Sequence, residues 1–253
     1  MEEVLYERLT PSEFQDRLKN APIAYLPLGT LEWHSSHLPL GSDSLQSQGF
    51  FIKLAQRVGG IVLPPLFLGP DEVKEVNGFE YYGMDIYGYL PNAPQQLRGS
   101  AYWIPSDLFL TLLEAVLKQI RRAGFRIIVA HGHGPSTNLI IRNNRKLSEK
   151  FDLAILTVWR DKDQMNPDME FQYDHAAANE TSIMMALYPD LVHIENLSKD
   201  KKQQPLAIIG KDPRIHASAK HGEEIIQLHL DRIENILKDQ LLHLHEATSG
   251  RHS

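Results

Sequence analysis

The chain reads as an α/β protein, a mostly parallel sheet with helices on both faces. Two observations carry that reading. Short apolar runs alternate along the chain with longer segments whose apolar residues recur at helical spacing. Strand-helix alternation of this kind builds a parallel sheet covered on both sides. With 253 residues the chain can bury a sizeable core, and its length suits one domain spanning 1–253.

Taken in order, "PIAYLPLG" (22–29) is the first strand. "DSLQSQGFFIKLAQRVG" (43–59) is a helix that stops at a glycine. "GIVLPPLFLG" (60–69) is a second strand whose end is bent by Pro64 and Pro65. "SDLFLTLLEAVLKQIRRAG" (106–124) is a helix that Ser106 can cap and Gly124 ends. "FRIIVAHGHG" (125–134) is a strand that runs into a glycine-histidine loop, and "NLIIRNNRKLSEKF" (138–151) returns as a helix. "LAILTVW" (153–159) is the next strand, "ANETSIMMALYPD" (178–190) a helix broken by Pro189, and 220–247 a long C-terminal helix. Residues 76–105 interrupt the rhythm. They are rich in tyrosine, glycine and proline, with no clear period, and are expected to form either a packed surface excursion or oligomer contact, or the wall or lid of a ligand pocket.

Composition narrows the chemistry. A formal charge of −6 without a basic stripe argues against nucleic acid as partner. The absence of cysteine excludes disulfides, thiolate ligands and a cysteine nucleophile, so a metal here needs nitrogen and oxygen ligands. The charged start "MEEVLYERLTPSEF" is not a secretory signal, and no apolar run is long enough to span a membrane. A cytoplasmic protein is the expectation.

Three strand exits carry ionisable clusters, and adjacent parallel strands bring such exits together at the carboxyl edge of the sheet. The first holds Glu32, His34, His37 and Asp43, the second His131 and His133, the third Asp174, His175 and Glu180. In an extended Glu-x-His segment both side chains point to one face. Glu32 and His34 can therefore serve two neighbouring metals, with Asp43 bridging them through one oxygen each. His37 is expected to fix its loop by hydrogen bonding, and His131 to be a core or supporting residue. Trp159 is either a core aromatic or part of a cover, and the polar stretch after it, up to Tyr173, is expected to be a mobile lid.

Motif by motif, the chain resembles the creatininase (creatinine amidohydrolase) family. "PLGTLEWHSSHLPLGSD" is similar to its G-x-x-E-x-H-G-x-H-L-P-x-x-x-D signature, and "VAHGHGPSTN" to its N-G-H-G-G-N loop. "HAAANETSIMMALYPDLV" resembles its H-A-G-x-x-E-T-S helix, and "GKDPRIHASAKHGEEI" its C-terminal segment. The matches keep the family's order from about residue 22 to 235. The resemblance implies a three- or four-layered α/β fold and a dinuclear hydrolase of non-peptide C–N bonds in small cyclic amides or formamides. It also implies two divalent ions per chain (zinc, manganese or iron) and a homohexamer. Carried over by position, Glu32 and His133 serve the first metal, His34 the second, Asp43 the bridge, and His175 assists catalysis near the leaving group.

Three positions depart from the family pattern. Ser35 stands where the family has glycine after Glu-x-His, and the loop before Asn138 is longer. Pro135 occupies the position at which the family's type member has a metal-binding glutamate. Glu180 can supply the missing carboxylate, or can be a helix N-terminal carboxylate that favours the dipole. Loss of that glutamate also motivates an alternative, a metal-binding or structural member of the fold without catalysis.

Overall fold

The structure, a computed structural model, describes residues 2–87, 94–159 and 162–249. The sheet consists of strands β1 (Ile23–Leu28), β2 (Ile61–Val62), β5 (Ile127–Gly132) and β6 (Ala154–Leu156), ordered β2-β1-β5-β6 and parallel throughout. A separate antiparallel hairpin, β3 (Val73–Val76) with β4 (Phe79–Tyr82), stands off it. The helices are α1 (Pro11–Asn20), α2 (Ser42–Val58), α3 (Met84–Tyr87), α4 (Ser106–Ala123), α5 (Gly134–Phe151), α6 (Ala178–Leu187), α7 (Pro213–His216) and α8 (Ala219–Ser249).

Side chains alternate across the strands with a period of two, and this divides the core. Ile23, Tyr25, Ile127 and Val129 join Phe50, Phe51, Ile183, Ile225 and Ile233 of α2, α6 and α8 on one face. Ala24, Leu26, Leu28, Ile128 and Ala130 join Phe109, Leu113 and Leu117 of α4 and Ile140 and Leu147 of α5 on the other. The result is three layers, helix-sheet-helix. α6 and α8 cross closely at Gly222, where a Cβ would stand 1.9 Å from the Ser182 carbonyl oxygen, so only glycine fits.

Several boundaries differ from the sequence expectations. α1 was not expected. Thr10 and Glu13 form a capping box with Pro11 at the first helical position, a start signal carried by "TPSE". β2 keeps only Ile61 and Val62, because Pro64 and Pro65 cannot donate to the ladder. α4 begins at Ser106, but the capping position is Pro105 and no side chain caps it, whereas Gly124 ends it in the left-handed conformation as expected. α5 starts at Gly134 rather than 138, with Pro135 in its first turn, where a missing N–H costs nothing. β6 ends at Leu156, three residues before Trp159.

The 76–105 excursion is partly regular. Asn77 and Gly78, both at positive φ (54° and 80°), make the two-residue turn that joins β3 to β4. Tyr82 stacks on Trp103 with ring centroids 5.0 Å apart. Tyr89 and Pro91 lie outside the described residues.

Candidate metal centre

β1 and β5 are neighbours, yet β1 connects onward to β2 on its other side. The chain thus reverses direction across the sheet between β1 and β5, and the crevice outside their carboxyl ends is where open α/β sheets bind ligands. Leu28 pairs with Gly132, so the segments carrying Glu32 and His133 leave the sheet side by side. Gly132 (φ 147°) lies so close to β1 that a Cβ would meet the Leu28 carbonyl oxygen at 1.9 Å.

The loop after β1 is pinned against residues 100–101. Leu31 and Ala101 exchange backbone hydrogen bonds, and Thr30 Oγ1 donates to the Ala101 carbonyl. Trp33 points away, packing beside Met84 and Leu97 while its indole N–H donates to the Arg98 carbonyl at 2.8 Å. Ser35 then adopts φ 57°, the left-handed turn for which glycine is the usual residue. Asp43 follows in the first turn of α2, where the helix dipole favours a carboxylate.

The side chains named from the sequence converge. Asp43 Oδ1 is 3.2 Å from His34 Nε2, and its Oδ2 is 3.1 Å from His133 Nδ1. Glu32 Oε1 lies 3.1 Å from the same His133 nitrogen, and Glu180 Oε2 lies 3.6 Å from His34 Nε2. Two overlapping groups result, Glu32–Asp43–His133 and His34–Asp43–Glu180, each with its donor atoms within 4.8 Å of one another and all buried. A third group of the same compactness is Glu32–His34–His175.

The outer ring nitrogens decide what the inner ones offer. His34 Nδ1 faces the Glu32 carbonyl at 3.2 Å, and His133 Nε2 faces the Pro70 carbonyl at 3.0 Å. A carbonyl only accepts, so each of these nitrogens carries the proton. In the neutral imidazole the inner nitrogen is then a lone pair aimed at the carboxylates, the arrangement of a metal-ligating histidine with its supporting acceptor. His175 has the same construction. Its Nε2–H donates to the Trp33 carbonyl at 2.8 Å, and its ring stacks on His34 at 4.3 Å.

Charge balance explains the protonation pattern without a cation. Burial raises the Asp43 carboxyl, but the imidazoles of His34 and His133 outweigh it and hold the group well below the usual carboxylate range. Burial likewise opposes charge on His34, yet Asp43, Glu180 and Glu32 lift it to about 10. His133 is raised well above its ordinary value against burial by Glu32 and Asp43. Glu180 is pushed up by burial more than His34 pulls it down. His175 is lowered, by burial first and then by the charge on His34. Glu32 and Asp43 thus draw protons onto two imidazoles, and a divalent cation would serve the same carboxylates.

Other sequence candidates lie beside the cluster rather than in it. His37 pairs with Thr181 Oγ1 at 2.8 Å and so ties its loop to α6. His131 is fully buried, edge-on to Trp159 and near Phe171, and burial pushes it down to about 3. Asp174, adjacent to His175 in the third cluster, accepts the backbone N–H groups of Asn179 and Glu180 at 2.8 and 3.1 Å. It caps the start of α6, and the Trp33 carbonyl orients His175. The sequence reading missed Asp71, whose Oδ2 stands 3.6 Å from His133 Nε2. Burial pushes Asp71 up to about 7 against the pull of His133. Its position in "GPDEVKE", two residues past Gly69 at the next strand exit, is the one signal that pointed to it.

The stretch expected as a mobile lid is anchored at its far end. Glu170, Phe171 and Gln172 are buried, Gln172 donates to the Asp43 carbonyl and accepts from Ser47, and the Trp159 indole N–H donates to the Phe171 carbonyl at 2.8 Å. Trp159 is therefore a partly buried aromatic that ties this stretch to the segment following β6. Trp159→Ala is expected to lower the unfolding free energy by about 3 kcal/mol, measured by urea denaturation. A shift in KM or kcat with unchanged stability would instead make Trp159 part of a pocket cover.

Comparison with known proteins places this geometry. A family model described as creatininase, creatinine amidohydrolase, matches residues 7–237. A creatinine amidohydrolase of Pseudomonas putida is 24% identical over 211 residues, covering 77% of this chain and 75% of that protein. A 3-dehydro-scyllo-inosose hydrolase of Thermotoga maritima is 24% identical over 204 residues, covering 76% of this chain but 58% of that protein. A crystal structure of creatininase superposes with TM-score 0.70 at 21% identity, covering 95% of this chain and 98% of that one. Creatininase structures described as a manganese form and a Zn–Zn form each superpose with TM-score 0.67. Because the family match spans nearly the whole chain and includes every segment that builds the cluster, the chain belongs to the creatininase family.

Proposed function

We propose that the protein is a dinuclear metal-dependent amidohydrolase that cleaves a non-peptide C–N bond in a small cyclic amide or formamide. The observation that carries this is Asp43, whose two oxygens each face a different inward-aimed imidazole nitrogen. The donor set suits zinc, manganese or iron, all of which accept mixed imidazole and carboxylate ligands. Glu32, Asp43 and His133 would hold one ion and His34, Asp43 and Glu180 the other. Glu180 would replace the carboxylate lost at Pro135, even though its Oε2 also accepts the Ala176 N–H at 2.7 Å.

Two bound divalent ions supply a polarised carbonyl and a water activated near neutral pH. The protein's own work lies at the leaving group. An amide nitrogen departs poorly as an anion and needs a proton. His175 has its Nε2–H committed to Trp33, so its Nδ1, bare in the neutral ring, is the atom that would take up the proton the attacking water gives up and pass it to the leaving nitrogen. Ser35 and Ala176, at φ 57° and 50°, hold strained turns beside His34 and His175, the kind of backbone that persists where a site needs it.

The test is metal analysis after supplemented expression, followed by a hydrolysis screen of cyclic amides, formamides and, given the Thermotoga relative, a cyclic polyol ketone. About two ions per chain with turnover is the expected result. Two ions without turnover of any compound would favour the inactive metal-binding alternative, and no ions would refute the reading. Family membership also supports a small-molecule substrate and a homohexamer, which light scattering tests.

Metal uptake should release protons. His34, lifted to about 10 without a cation, carries at pH 7 a proton that an ion must displace. Affinity is therefore expected to rise with pH between about 6 and 9, approaching tenfold per pH unit for each proton displaced. Titration calorimetry in buffers of different ionisation enthalpy measures the release directly. Affinity independent of pH over that range would contradict it.

A further inference from the structure

Asp71 belongs to none of the motifs, yet it sits behind His133. The His133 Nε2–H is held by the Pro70 carbonyl at 3.0 Å, and the Asp71 carboxylate stands beside it at 3.6 Å. The carboxylate is itself fixed. Its Oδ1 accepts the Glu72 N–H at 2.7 Å, and Gly83 at the end of β4 packs so closely that a Cβ would stand 2.3 Å from Oδ2. Gly83 adopts φ 48°, where a side chain would be strained as well as pressed against this carboxylate, and its N–H donates to the Glu72 carbonyl. The segment leading into β3 thus reaches the candidate metal centre through one acidic side chain.

We propose that Asp71 is a positioning residue for His133: its carboxylate, beside the ring, reinforces the Pro70 carbonyl that holds the Nε2 proton and so keeps the Nδ1 lone pair aimed at Glu32 and Asp43. The inference rests on the dinuclear reading above. A carboxylate behind a ligating imidazole fixes the ring's tautomer and orientation and raises its basicity, and removing such a partner typically weakens a metal site 10–100-fold. Among the described residues His34 has only a backbone carbonyl in the corresponding place, from Glu32, so the two sites differ in their support. Asp71 therefore acts on one ion and not the other.

The experiment is stepwise metal removal from the holoprotein with a competing chelator, comparing wild type, Asp71→Ala and Asp71→Asn, with thermal melts of each. Asp71→Ala is expected to weaken one ion about 10–100-fold and leave the second within about twofold. Asp71→Asn, which keeps an acceptor oxygen without the charge, is expected to recover part of the loss. Both ions held as tightly as in wild type would overturn the proposal and leave the dinuclear reading standing. Equal weakening of both ions with a fall in melting temperature would also overturn it, because Asp71 would then be structural. If Asp71→Ala does not fold, Asp71→Asn at wild-type affinity overturns the proposal and selective weakening supports it. A wild type that takes up no metal overturns both readings.

Discussion

Asp43→Ala is expected to empty the site of both ions and to lower turnover by more than about 10³-fold, the largest effect of any single substitution proposed for this chain. One carboxylate faces His34 with one oxygen and His133 with the other, so its removal takes a ligand from each group at once. Glu32→Ala or His133→Ala should weaken mainly one ion, and Glu180→Gln mainly the other. Metal analysis of the four purified variants separates these patterns. The fold should survive, because Asp43 lies at the first turn of α2, ahead of the apolar positions that anchor that helix. Full metal content in Asp43→Ala would show that the bridge is assigned wrongly.

His175→Ala is expected to keep both ions and to slow turnover by about 10²–10⁴-fold, the range for losing a positioned acid-base group. The Trp33 carbonyl holds the ring in place, and the ring stacks on His34 without approaching Asp43 at hydrogen-bonding distance. The pH–rate profile should lose the limb that His175 contributes. His175 also falls within a compact donor group with Glu32 and His34, so its replacement has a second informative outcome. Loss of an ion together with activity would make His175 a ligand and not a proton donor.

Much of this arrangement was legible in the residues alone. β1 and β5 announce themselves as apolar runs, and α2, α4 and α8 as periodic segments ended by glycine or extended without interruption. The clustering of glutamate, aspartate and histidine directly after β1 and β5 placed the site at the carboxyl edge of the sheet, because parallel strands deliver their exits to one side. The Glu-x-His spacing put Glu32 and His34 on one face, since an extended chain alternates every second residue. Two further signals were present and unread: the Asn77–Gly78 hairpin turn and the Thr10–Glu13 capping box. Both are local chemistry that a search for hydrophobic period passes over.

What no local pattern carries is partnership across the chain. Glu180 is 146 residues past His34 and reaches it because Gly222 lets α6 and α8 cross closely. Asp71 meets His133 because the segment at Gly69 runs against the exits of β1 and β5, where a Cβ on Gly69 would stand 3.1 Å from the Gly29 carbonyl oxygen and 3.2 Å from the His133 ring. Asp174 turned out to cap α6, and the ring of His175 took a backbone carbonyl from a different loop. Which nitrogen of each imidazole faces the carboxylates depends on the acceptor behind the ring, and for His133 and His175 that acceptor is 63 and 142 residues away. Asp43 comes to lie between two imidazoles only because histidines from separate segments arrive on either side of it, and packing of α2 against β1 and β5 brings them there.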